Sequence, residues 1–243
     1  MKRSGFVLSI TLFSAIFIAV CLIMGFFALK ILNSNAKRDV AAEPEVFTVI
    51  LDAGHGGEDG GAIGVDKKTL EKDVNLSVSM YLGKLLESDG VNVIYTRTED
   101  VLLYDRNVDY DGRKKSLDLR ARLDIAEQNP GAVFVSVHMN SFGDPKYSGM
   151  QVYYSDSAED GRILAETLQK MARFLSPTNE RMIKKANSSI YLLDRAPGTA
   201  VLVECGFLSN YEECSLLSTE DYQKKVAFAI YRGIMDYKDT KNT

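Results

Sequence analysis

Only two histidines occur in this chain of 243 residues, and both follow apolar runs. His55 closes V-I-L-D-A-G-H, and His138 closes V-F-V-S-V-H. A hydrolytic metal site commonly takes three protein ligands from histidine and carboxylate and leaves one position for water. With both imidazoles used, one acid completes such a set. Glu71 is the natural candidate, because it opens a helix after the Gly-rich turn Gly56–Gly64 and the loop can fold it back toward His55. A glutamate in a first helical turn also complements the helix dipole with no metal nearby, so that residue alone leaves both roles open. Glu204 ends a third apolar run, V-L-V-E, where an unpaired buried carboxylate is costly. It is either a working carboxylate at the edge of the site or the partner of an arginine such as Arg97 or Arg195. Ser141 follows His138 closely, but no G-x-S-x-G elbow surrounds it and no third histidine is left to act as its base.

Positioning these groups requires strands that end near one another. Apolar runs alternate with amphipathic segments from residue 46 onward, which suggests a βαβ-type layered α/β fold in one domain. Strands are expected at Val46–Asp52, Val91–Arg97, Ala132–His138, Met150–Tyr154 and Thr199–Cys205, and a short strand or extended loop at Ile190–Leu193. Helices are expected at Glu71–Ser88, Leu117–Gln128, Asp160–Leu175 and Thr219–Tyr237. Tyr104–Lys115 is charged, contains glycine and lacks periodicity, so it reads as an exposed loop. Both histidines and Glu204 then fall at the carboxyl ends of strands, where open α/β sheets bind ligands.

Before the domain, Phe6–Leu29 runs without a charge, preceded by Lys2 and Arg3. Its length suits a membrane span and exceeds the 7–15 residues of a signal-peptide core. Residues 1–32 are therefore expected to be a signal anchor or signal peptide, 33–45 a polar linker, and 46–243 the working domain. Setting aside residues 1–42 leaves 24 basic against 32 acidic residues, a net charge of about −8. That balance argues against a nucleic-acid surface, which needs a basic footprint. Cys205 and Cys214 have no CxxC pattern around them and read as free thiols, although a bridge between them is open in an oxidising compartment.

Four motifs in order, L-D-A-G-H-G-G, L-E-K-D-V-N-L, S-V-H-M-N-S and V-E-C-G-F-L-S-N, resemble those of the zinc-dependent N-acetylmuramoyl-L-alanine amidases of type 3. The likeness spans residues 47 to 237 and extends to T-R-x-x-D at Thr96, Arg97 and Asp100, and to an L-x-x-R…A segment at Leu117, Arg120 and Ala126. The resemblance implies a single three-layer domain with a mixed, mostly parallel sheet flanked by helices, and Zn2+ bound by His55, Glu71 and His138, with Glu204 as the catalytic carboxylate. It implies a peptidoglycan substrate, cut at the amide between N-acetylmuramic acid and the L-alanine of the stem peptide. It also implies action outside the cytoplasm, with an activating protein partner open as a requirement. The short Gly143–Ser148 loop stands where longer family members carry an autoinhibitory insert. The compact domain behind one apolar segment is most similar to the germination-specific members that process spore cortex. Two alternatives remain within reach of the same residues: a zinc peptidase acting on wall peptides, and a non-catalytic peptidoglycan-binding scaffold.

Overall fold

The computed structural model describes residues 18, 20–30, 46–105, 107 and 112–241. It separates into two units, Met1–Glu45 and Val46–Thr243. In the first, residues 20–30 are helical and exposed. Among the described residues no helix is long and apolar enough to cross a membrane. Most of the Phe6–Leu29 stretch and the whole of the expected linker lie outside the described residues.

The second unit is built on a six-stranded sheet. Its strands are β1 (Thr48–Ala53), β2 (Asn92–Tyr95), β3 (Val133–Asn140), β4 (Gln151–Tyr154), β5 (Lys184–Lys185) and β6 (Ala200–Phe207), in the order β2-β1-β3-β6-β4-β5. The first four strands in that order run parallel; β4 is antiparallel to β6, and β5 is parallel to β4. The central strands β1, β3 and β6 are apolar nearly throughout because both of their faces are covered.

One face packs against α1 (Glu71–Ser88), α3 (Glu159–Leu175) and α6 (Glu220–Lys241). Helix α1 offers Val74, Val78, Leu82 and Leu86 at intervals of four, and all four are buried. Such a stripe lies along one side of a helix, and each side chain so buried is worth roughly 1.5–3 kcal/mol. The other face is partly covered by α2 (Lys114–Gln128) and α4 (Tyr191–Arg195), which bury Ile50, Phe134 and Ala200 with Leu123, Ala126 and Leu192. The remaining helix, α5 (Tyr211–Leu217), follows β6 directly.

Several expectations change. Ile190–Leu193 is not extended: Tyr191–Arg195 is a helical turn, because consecutive Leu192 and Leu193 are both buried, which a strand with alternating faces does not achieve on one side. Helix α5 was not anticipated, although Asn210 caps it by accepting from Glu213 N at 3.0 Å and the N-x-x-E spacing announces it. Strands β3 and β6 run past their expected ends, so His138 and Glu204 lie inside strands rather than at their termini. They are register partners, and the register slips immediately afterward, between His138 and Asn140.

Candidate metal centre

From β1 the chain goes through α1 to β2 on one side, then returns through α2 to β3 on the other. The strand order therefore reverses between β1 and β3, and their carboxyl ends flank the crevice such a reversal opens. His55 sits in the loop leaving β1, and His138 lies in β3. Alternation along the strands points Asp52, Ser136, His138, Leu202 and Glu204 to one face, the face shared with α2 and α4. Together with His55 they line a cleft of about 260 Å3.

Glu71 is the first residue of α1 and is buried. Its Oε2 accepts from Ala62 N at 2.8 Å, which fixes the carboxylate against the Gly-rich loop. Its Oε1 lies 2.9 Å from His138 Nδ1 and 3.2 Å from His55 Nε2, and accepts from Met139 N at 3.2 Å. Burial alone would raise the Glu71 pKa, but the two imidazoles beside it hold the carboxyl far below its ordinary value. The three donor atoms all lie within 4.8 Å of one another. Two donors on a tetrahedral zinc, each at about 2.1 Å, stand roughly 3.4 Å apart, so the observed spacing fits an ion of that kind with little movement. Two neutral-capable imidazoles and one carboxylate also form a borderline donor set suited to zinc.

Space for this convergence comes from two glycines. A Cβ placed on Gly54 would lie 2.2 Å from His138 Nε2. One placed on Gly61, where φ is +66°, would lie 2.6 Å from Glu71 Oε2 and 2.8 Å from His55 Cδ2. His55 itself holds a left-handed φ of 62°, a strained conformation for a residue with a Cβ that surrounding contacts must maintain.

Those contacts come from two buried arginines. Arg97 donates from Nε to Ala53 O at 2.9 Å and from Nη2 to Gly54 O at 3.1 Å. Arg122 donates from Nη1 to Ala53 O and from Nη2 to His55 O, both at 2.8 Å. Arg122 is anchored in turn by Asp52 at 2.6 Å and Asp118 at 2.8 Å. The Arg122 charge is thereby compensated in the interior, where an unpaired one would be prohibitive, while Arg97 donates only to backbone carbonyls. Arg97 is therefore occupied with carbonyls and Arg195 with Asp194, so neither pairs with Glu204. Arg120, which the L-x-x-R spacing singled out, is a surface residue paired with Asp124 and Glu127; Arg122 is the buried one.

Sequence reasoning also missed Asp59. Its Oδ2 lies 2.9 Å from His55 Nδ1, a carboxylate–imidazole contact at ion-pair distance. The i, i+4 spacing from His55 was the available signal. Glu204 has a buried Oε2 with no hydrogen-bond partner among the described residues. Burial pushes its pKa up to about 7, with His138 opposing the rise and Glu71 adding to it. Cys205 and Cys214 are free thiols in the core.

Residues 49–236 match the family profile described as N-acetylmuramoyl-L-alanine amidase. The germination-specific N-acetylmuramoyl-L-alanine amidase of Bacillus subtilis is 37% identical over 190 residues, covering 78% of each chain. The structure of the CwlD amidase from Clostridioides difficile, in complex with the GerS lipoprotein, is 42% identical with a TM-score of 0.75, covering 80% of this chain and 99% of that one. The catalytic domain of CwlV from Bacillus (Paenibacillus) polymyxa is 31% identical with a TM-score of 0.68, covering 80% of this chain and 99% of that one. A mixed α/β sheet with His55, Glu71 and His138 gathered at its strand reversal, matched over most of the domain by these proteins, makes this chain a member of the N-acetylmuramoyl-L-alanine amidase family.

Proposed function

We propose that this amidase is zinc-dependent, that His55, Glu71 and His138 hold the ion, and that Glu204 moves the proton during cleavage of the bond between N-acetylmuramic acid and L-alanine. The observation that carries this reading is the meeting of three donor atoms within 4.8 Å beside a buried carboxylate oxygen that has no partner among the described residues. Zinc in such a set polarises a carbonyl and makes water acidic enough to attack near neutral pH. Glu204 takes a proton from the attacking water as its oxygen bonds to the lactyl carbonyl carbon. When the C–N bond breaks, Glu204 returns that proton to the departing alanine nitrogen. The products are a muramic acid carboxylate and a free stem peptide. A carboxylate whose pKa stands at about 7 is matched to taking and returning a proton at neutral pH. Asp59 orients His55, and Arg97 and Arg122 hold the strained loop that presents it.

The likeness to a germination-specific N-acetylmuramoyl-L-alanine amidase of Bacillus subtilis supports a role in germination, which we assign to removal of stem peptides from spore cortex ahead of muramic-δ-lactam formation. The uncharged Phe6–Leu29 stretch supports an anchor that leaves the domain outside the cytoplasm. The Clostridioides difficile relative was solved with a lipoprotein, which supports an activating partner of that kind here.

Metal analysis and a muropeptide digest of the purified full chain test the assignment together. We expect one zinc per chain and new stem peptides with a free alanine amine. Glu204→Gln is expected to keep that zinc and lose about 100- to 10,000-fold in rate. Peptides cut between amino acids would instead indicate a peptidase, and intact muropeptides with zinc bound would indicate a scaffold. Full hydrolysis by Glu204→Gln would reject the proton-transfer role.

A further inference from the structure

The face that carries the metal centre does not end at Glu204. Glu204 is the register partner of Gln151 on β4, Leu202 pairs with Tyr153, and Tyr153 pairs with Lys184 on β5. Partners opposite one another in a sheet point to the same side. Glu204, Gln151, Tyr153 and Lys184 therefore share one face. Helices α2 and α4 cover that face over β1 and β3, whereas Tyr153 is only half-buried and Lys184 is exposed. The opposite side of β4 is filled by Val152 against Leu164 and Leu168 of α3. Gln151 beside Glu204 is itself buried, and beyond it the face opens into a shelf at Tyr153 and Lys184.

Two cations stand on this shelf over aromatic rings. The Arg181 guanidinium lies 4.5 Å from the Phe207 ring centre, and Lys184 Nζ lies 5.9 Å from that of Tyr153. Arg181 is held in place by donating from Nε to Ser148 O and from Nη1 to Gln151 Oε1, and among the described residues Nη2 donates to no partner. Glu213 lies near Arg181, but its carboxylate is taken by Gly149 N and Phe207 N. Neither Arg181 nor Lys184 forms an ion pair among the described residues. Lys184, exposed and outside any ion pair among the described residues, and Arg181, whose neighbour Glu213 is engaged by two backbone N–H groups, together offer positive charge to an anion beside the reaction centre. The distance is also informative: β5 lies two strand spacings of about 4.8 Å from β6, or about 10 Å, which three extended residues span.

We propose that this shelf binds the stem peptide, with Arg181 and Lys184 receiving carboxylates carried beyond its alanine; this rests on the amidase reading above. The sugar side of the scissile bond then lies toward α2 and α4. Cations stacked on aromatic faces are pre-ordered and partly desolvated, so they attract an anionic group more strongly than a free surface lysine does.

The test is steady-state kinetics of the zinc-loaded full chain on two muropeptides, one with free peptide carboxylates and one with those carboxylates amidated. For the free-carboxylate substrate, Lys184→Glu is expected to raise KM about 5- to 10-fold, with kcat changed less than twofold. Lys184→Arg is expected to restore the wild-type KM, and salt to shrink the difference. The amidated substrate is expected to give the same KM with all three proteins. Equal KM values for wild type and Lys184→Glu on the free-carboxylate substrate would overturn the shelf while leaving the amidase assignment intact. Failure of the wild-type protein to release an alanine-headed peptide from either substrate would overturn the amidase assignment itself.

Discussion

Gly54→Ala is the most informative single perturbation of the metal centre, because it adds one methyl group at a known place. The new Cβ would lie 2.2 Å from His138 Nε2, 2.3 Å from Cε1 and 2.8 Å from Cδ2. Ordinary contact begins at 3.4 Å, so the imidazole must retreat by about 1.2 Å or the β1 exit must move by as much. A zinc ligand tolerates only about 0.2 Å of displacement. With His138 in the proposed ligand set, the substitution would act as its partial removal, and we expect zinc affinity to fall more than about 100-fold. Overpacking of this size costs about 1–3 kcal/mol of stability, which leaves a folded protein to assay. Gly54 is not among the residues with positive φ, so backbone strain does not confuse the result. Competition with a chelator of known affinity measures the loss, with thermal unfolding as the check on folding. Gly143→Ala is the control, since a Cβ there meets nothing within 4 Å. Wild-type zinc affinity in a folded Gly54→Ala protein would refute the placement of His138 in the ligand set.

Two further outcomes follow from groups that support the site. Asp59→Asn keeps the shape of the residue beside His55 Nδ1 but removes its charge, and we expect zinc affinity 10- to 100-fold weaker in the same competition assay. Acid should unfold the domain partly through Asp52: burial would raise its pKa, but Arg122 and the Ser136 hydroxyl hold it below the ordinary 3.8. A depressed pKa contributes stability that is complete above the unfolded value and lost as pH falls through the folded one. Unfolding temperatures should therefore drop below about pH 4, and Asp52→Asn should flatten that limb while lowering stability at pH 7, because Arg122 loses a partner.

What could be read from the residues alone was periodicity and rarity. Helix α1 was legible to its ends because Val74, Val78, Leu82 and Leu86 repeat at helical spacing and Gly90 follows. The strand cores were legible because runs such as V-F-V-S-V suit only a sheet covered on both faces. His55, His138 and Glu204 stood out because the chain spends only two histidines, both after apolar runs, and because an unpaired carboxylate after three apolar residues is costly; Glu71, an ordinary helix-start residue by itself, was drawn in only by its place after the His55 loop.

Tertiary structure decided the rest, because it depends on pairings between residues far apart in the chain, which no local pattern encodes. Two arginines two residues apart, Arg120 and Arg122, look alike in sequence; helical rotation buries one on the carbonyls of the His55 loop and leaves the other in solvent. Asp59 acquires meaning only when the loop folds it onto His55. The register of β6 against β3 and β4 puts His138, Glu204 and Gln151 side by side, and a slip of one residue would turn Glu204 into the core. That register, set by packing across the whole sheet, brings these three polar residues from separate strands onto one face.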